Sequence, residues 1–296
     1  MRIFAKICAS LAALLCAACS SAPKLPAPES AQTNSYTLAQ KRLLYIVDQQ
    51  NRFFESAKSK SRLARSDAVS AKSRIDSLWT EYLTDFPNDA EALAIRGKFL
   101  RAIGDFDGAH AAFIKADSAN PNLASVKQQL ANYEAERGNP ESARENLKAA
   151  IALAPDEAVY HEQLADLLLF YREELVFRKK FSQSFIDAEM IDSMRAAAEL
   201  KPGDPRIQWK YARFFYDVGK PDWRAALAQW NIVLEKFAPM RVDRQTALAN
   251  KARVLIELDR DAEAEQILKT IDLQSLSDDA KKLMSVIEES KKKKSK

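Results

Sequence analysis

The chain has 296 residues, and its 45 Lys plus Arg against 41 Asp plus Glu leave a formal charge of only +4. So even a balance gives no argument for a nucleic-acid partner. Length alone suggests about two domains, and the three cysteines, Cys8, Cys16 and Cys19, all sit at the start of the chain, which excludes a disulfide framework.

Residues 1–18 carry Arg2 and Lys6 ahead of an apolar run from Ile7 to Ala18. The run is too short to span a bilayer and has the layout of an export signal. Cys16-Ala17-Ala18-Cys19 resembles the lipobox of bacterial lipoproteins and departs from it at Cys16, where that family prefers Leu. The resemblance implies that Cys19 is acylated, by palmitate among other chains, and anchors the protein to a membrane. Because Ser20 and not Asp follows, it also implies retention at the outer membrane, with the folded part in the periplasm. Ordinary signal cleavage, leaving a soluble periplasmic protein, is the alternative. A lone mature thiol in an oxidising compartment is accounted for if acylation occupies it. Residues 19–35 then place Pro23, Pro26 and Pro28 among Ser, Ala and Gln, with almost nothing to bury. They are expected to form a disordered tether, reaching on the order of 50 Å at about 3 Å per residue.

From Tyr36 to Glu55 the apolar residues Leu38, Leu44, Tyr45, Val47, Phe53 and Phe54 predict one long helix, which the Ser-, Lys- and Arg-rich stretch from Ser56 to Ala71 either extends or breaks. A pattern with a period of 34 then emerges, marked by Pro87, Pro121 and Pro155. Ile75, Trp79 and Tyr82 fill its second half before the first full unit. That unit places Leu93, Gly97, Leu100, Gly104, Ala109, Phe113 and Ala116; the next places Ala131, Gly138, Ala143, Leu147 and Ala150 at matching offsets. Helical spacing puts Leu93, Gly97 and Leu100 on one stripe and Ala109, Phe113 and Ala116 on the next. Small residues such as Gly97 and Ala109 let the two backbones approach, and Phe113 fills the space above them. Gly104 and Gly138 are expected in the left-handed conformation that ends a helix. Asn139-Pro140, and Asn88 three residues before Glu91, read as helix starts.

This arrangement resembles the tetratricopeptide repeat family. The resemblance implies an all-α fold: a right-handed solenoid of antiparallel helix pairs over residues 36–290, with about five repeats and terminal capping helices. Because a solenoid grows by adding neighbours, one continuous body is expected in place of two domains. After Pro155 the next matching proline is Pro202, a gap of 47, so an elongated helical hairpin is expected over about 157–200. Either Phe177, Phe181 and Phe185 pack its two helices on each other, or it forms a lip beside a binding groove. Asp204-Pro205 caps the next helix, which carries Tyr211, Ala212 and Phe215, and its partner, with Ala226, Trp230 and Val233, needs two extra residues. The last copy uses Leu248, Ala252, Leu255, Ala264, Leu268 and Ile271, with Asp259 where glycine is expected. Ser277 is expected to cap a final helix that buries Leu283, Val286 and Ile287, before a basic tail at 291–296.

The repeat family acts in most cases as a protein-binding scaffold, with the first helix of each pair lining a concave groove. Carried onto this chain, the resemblance implies groove residues Lys98, Arg101, Gln128, Asn132, Asp166, Trp209, Arg213, Tyr216, Asn250 and Arg253, flanked by Glu91, Gln129, Glu162 and Phe170. Asn and Gln would pair with main-chain amides, Arg and Lys with carboxylates, and Trp209 or Tyr216 with an apolar side chain. Trp209 could instead be buried against Trp223 or Trp230.

A catalytic reading finds little support. His161-Glu162 begins like HExxH, but Ala165 stands where the second histidine belongs, so a zinc ligand is missing. There is no glycine-rich phosphate loop, and no mature cysteine is free as a nucleophile. The expectation is a non-catalytic scaffold, without cofactor or metal, that recruits protein partners in the cell envelope for secretion, pilus or wall-processing assemblies. A self-associating structural subunit is the alternative, and an undetected hydrolase the third reading.

Overall fold

The computed structural model of the chain describes residues 36–57, 62–178 and 180–294. The expected signal, Cys19, the tether up to Ser35 and the last two residues of the basic tail lie outside the described residues. Among the described residues there are thirteen α-helices and no strand. They form two compact units that divide between Leu153 and Ala154.

The first unit consists of α1 (Leu38–Ala57), α2 (Arg62–Asp85), α3 (Ala90–Ala102), α4 (Phe106–Ala119), α5 (Ala124–Glu136) and α6 (Pro140–Leu153). Successive helices pack as the pairs α1 with α2, α3 with α4 and α5 with α6. Ile75, Trp79 and Tyr82 are fully buried, and with Ile46, Ala92 and Phe99 they knit α1, α2 and α3 together. The Tyr82 hydroxyl donates to Asp89 Oδ2 at 2.7 Å, and Asp89 Oδ1 accepts from Ala92 N at 3.0 Å. Asp89, one residue after the expected Asn88, therefore caps α3.

The size alternation expected of the repeat is present. A Cβ built on Gly97 would lie 2.6 to 2.9 Å from atoms of the Phe113 ring, so only glycine lets that ring seat. Gly104 and Gly138 hold φ of 87° and 76°. In each case the N–H after the glycine reaches back to close the helix, Asp105 to Leu100 O and Asn139 to Glu134 O, both at 2.9 Å.

The second unit holds α7 (Ala158–Phe177), α8 (Gln183–Leu200), α9 (Pro205–Phe214), α10 (Trp223–Ile232), α11 (Arg241–Glu257), α12 (Asp261–Leu268) and α13 (Ser277–Lys294). α7 pairs with α8, α9 with α10 and α11 with α12, while α13 covers the last pair. The elongated hairpin is real: α7 runs for 20 residues and α8 for 18, against 10 in α9. Phe177 does not help hold it together. Leu164, Leu168 and Leu175 on α7 and Ile186, Met190 and Met194 on α8 are the buried residues, whereas Phe177 is 85% exposed and Phe185 45%. Two residues beyond Leu175, Phe177 points about 200° away around the helix.

The two extra residues fall before α10, between Gly219 and Ala226, and α10 is followed by a π-helical turn over Val233–Phe237. Asp204 caps α9 with Pro205 at its first position, as expected. Asp259 holds φ 58°, doing at the end of α11 what glycine does elsewhere. Ser277 does not cap α13 from outside but follows directly on a short 3-10 turn, Gln274–Leu276. On α13 Ile287 is buried and Leu283 packs against the core, but Val286 is 47% exposed.

Candidate partner-binding surface

In the first unit the expected groove residues sit on the first helices of their pairs, Lys98 and Arg101 on α3 and Gln128 and Asn132 on α5. They do not make an open polar surface. Arg101 is committed to an ion pair with Glu136 on α5. Gln128, Gln129 and Asn132 are buried, and the Gln129 amide donates to Gln128 Oε1 at 2.8 Å. Carboxamides at these places serve packing.

The second unit contains two distinct clusters. In the first, α7 presents Glu162 and Asp166 one turn apart, and α9 presents Arg206 and Lys210 with the same spacing. Arg206 grips Glu162 with both nitrogens of its fork, one at 2.9 Å. Lys210 Nζ lies 2.8 Å from Glu162 Oε1 and 2.6 Å from Asp166 Oδ2. Burial pushes the Glu162 carboxyl up, but the hydrogen bonds from Arg206 and Lys210 outweigh it and hold the group below the usual range. For Asp166 burial prevails over Lys210, and its carboxyl is raised. Asp166 is thus a structural partner of Lys210. Spacing of one turn put Glu162 with Asp166, and Arg206 with Lys210, on single helix faces, but nothing in it paired the two helices.

The second cluster gathers four of the expected groove residues. Trp209 Nε1 donates to Phe237 O in the π-turn at 3.2 Å, and its ring stands edge-on to buried Trp230 at 5.5 Å. The Tyr216 hydroxyl donates to Asn250 O at 2.9 Å, and its ring leans on Trp223 and Trp230 at 5.8 and 6.4 Å. Burial pushes the Tyr216 phenol far up, so it stays a neutral donor. The Arg253 guanidinium from α11 lies 4.4 Å above the same ring. Asn250 turns its amide back to Thr246 O at 2.9 Å, so it contributes backbone to this cluster and not a recognition side chain. Arg213 is exposed on α9, one turn beyond Trp209. Partial desolvation raises the nearby Asp217 carboxyl against the opposing pull of Arg213, Arg172 and Arg253.

The remnant of HExxH is engaged elsewhere. His161 Nε2 donates to Pro155 O at 2.9 Å, and Glu162 is held by Arg206 and Lys210. Among the described residues no group of His, Cys, Asp and Glu could hold a metal ion.

Comparison with known proteins agrees with this architecture. A tetratricopeptide-repeat family model matches residues 124–167, from α5 through α6 into α7. The crystal structure of YrrB, described as a TPR protein with an unusual peptide-binding site, aligns with 72% of this chain and 97% of its own at 15% identity and a TM-score of 0.50. A structure of Naa15/Naa10 bound to HypK-THB aligns with 88% of this chain and 35% of its own, again at 15% identity, with a TM-score of 0.60. No curated protein sequence matches the chain. These findings support a tetratricopeptide-repeat protein, and at such identities the structural likeness is one of fold.

Proposed function

We propose that this chain is a non-catalytic scaffold of the bacterial envelope that binds a protein partner across the α9–α11 face of its second unit. The reading further takes Cys19 to be lipidated, mooring the folded part on the periplasmic side of the outer membrane. The carrying observation is Arg253 lying over Tyr216 at 4.4 Å, with exposed Arg213 on the adjoining helix. Trp209 and Tyr216 are fixed through main-chain carbonyls, so the aromatic base costs little further ordering when a partner docks. Two guanidinium forks beside it suit the carboxylates of an extended peptide or a partner helix. The repeat architecture supports the same reading, since stacked helix pairs commonly carry extended binding surfaces. Assembly of a secretion, pilus or wall-processing complex is the setting such an anchored scaffold suits.

A pull-down from detergent-solubilised envelope, comparing the native chain with an Arg213→Glu, Arg253→Glu double variant, tests this. Loss of co-purifying proteins from the variant is expected, and an unchanged set rules the face out. Trp209→Ala is the poorer probe, because it also breaks the bond to Phe237 and the contact with Trp230.

A further inference from the structure

The α7–α8 hairpin carries a feature the scaffold reading does not use. Among the described residues no large apolar side chain is more exposed than Phe177, at 85%. The hairpin core closes below it, with Leu175 and Ile186 fully buried, so the phenylalanine is surplus to packing. Phe181 and Phe185 stack nearly parallel at 5.4 Å just across the turn, and Phe185 is half exposed. Between Glu174 and Asp187 the sequence contains no acid, while Arg178 and Lys180 occupy the tip. Arg178 does pair with Glu174 one turn below, yet its side chain remains 45% exposed.

We propose that this tip is a membrane-docking element, with Phe177 seated among the headgroups of an anionic bilayer and Arg178 and Lys180 against its phosphates. Aromatic rings flanked by cations suit the headgroup layer, where the ring meets acyl chains and the charges stay wet. A protein partner is the less fitting occupant, because a convex tip of a few side chains falls short of the roughly 800 Å² per partner that a stable interface buries. The docking is separate from any lipid on Cys19 and would fix the orientation of the hairpin against the bilayer.

The test uses the full chain with Cys8, Cys16 and Cys19 changed to Ser, so that no acyl group is added. Phe177→Cys in this background takes a nitrobenzoxadiazole label, and Ala228→Cys on α10, also exposed, serves as the reference site. With vesicles of phosphatidylcholine mixed with phosphatidylglycerol, emission at position 177 should rise several-fold and shift to the blue. Position 228 should not respond, and neither should position 177 with phosphatidylcholine alone. Adding Arg178→Glu and Lys180→Glu should abolish the response while the far-ultraviolet circular dichroism is unchanged. Unchanged emission at 177, equal gains at 177 and 228, or a gain that survives the charge reversal would each overturn the proposal. A response that requires added envelope protein instead of lipid would also overturn it. Because the acylated cysteine is gone, failure here leaves the anchoring question untouched.

Discussion

Asp259 and Gly97 show how single residues meet the demands of the repeat, one at a helix-ending corner and one inside a helix. At the end of α11, Asp259 N and Arg260 N close the helix on Ile256 O and Leu255 O at 3.0 and 2.9 Å, the same pair of bonds that follows Gly104 and Gly138. A side chain at φ 58° meets its own backbone, a cost of about 1–2 kcal/mol that aspartate partly relieves. Asp259→Gly is therefore expected to stabilise the second unit by about 0.5–1 kcal/mol, read as a rise in thermal midpoint, after allowing for glycine's greater freedom when unfolded. Gly97→Ala should do the reverse in the first unit. Its methyl group would overlap the buried Phe113 ring, and a loss of about 1–3 kcal/mol in urea denaturation is expected. A Gly97→Ala variant of native stability would show that the ring yields.

At the scale of helices, the charged cluster joining α7 to α9 makes a pH prediction with two opposite signs. Glu162 has a lowered pKa in the fold, so it contributes stability above the ordinary glutamate range that is lost as pH falls through its folded value. Asp166 has a raised pKa, so its contribution is largest at low pH and is lost as pH rises through that raised value. The two partly cancel. Glu162→Gln should flatten the rise of stability with pH on the acid side, and Asp166→Asn should steepen it. Denaturant midpoints measured from below the ordinary carboxylate range up to neutral pH check both. Parallel changes in the two variants would mean that Lys210 does not separate the carboxylates as the geometry requires.

For the molecule as a whole, the anchor assigned to Cys19 is tested apart from the fold. Radiolabelled palmitate should enter the native chain and not the Cys19→Ser variant, and equal labelling would end the lipoprotein reading. Cys19 is among the residues for which the sequence alone supplies an argument. The helix pairs were legible there too, because Pro87, Pro121 and Pro155, Gly104 and Gly138, and the buried Ile75, Trp79 and Tyr82 act through local spacing and backbone conformation. A helix's own period fixes which residues share a stripe, and a left-handed corner fixes where glycine belongs.

The proposed binding surface was only half legible. Family offsets named Trp209, Tyr216 and Arg253, but that Trp209 is tied to Phe237 follows from a π-turn 28 residues on, and that Arg253 covers Tyr216 follows from how α11 passes the turn after α9. Spacing could not show that Gln128 and Asn132 are buried or that Asp166 belongs to Lys210. The sequence by itself determined the repeating local chemistry: caps, corners and apolar stripes, each set by residues within a few turns of one another. Only the tertiary structure decided which polar and aromatic side chains are left for a partner, because exposure depends on neighbours that are distant along the chain.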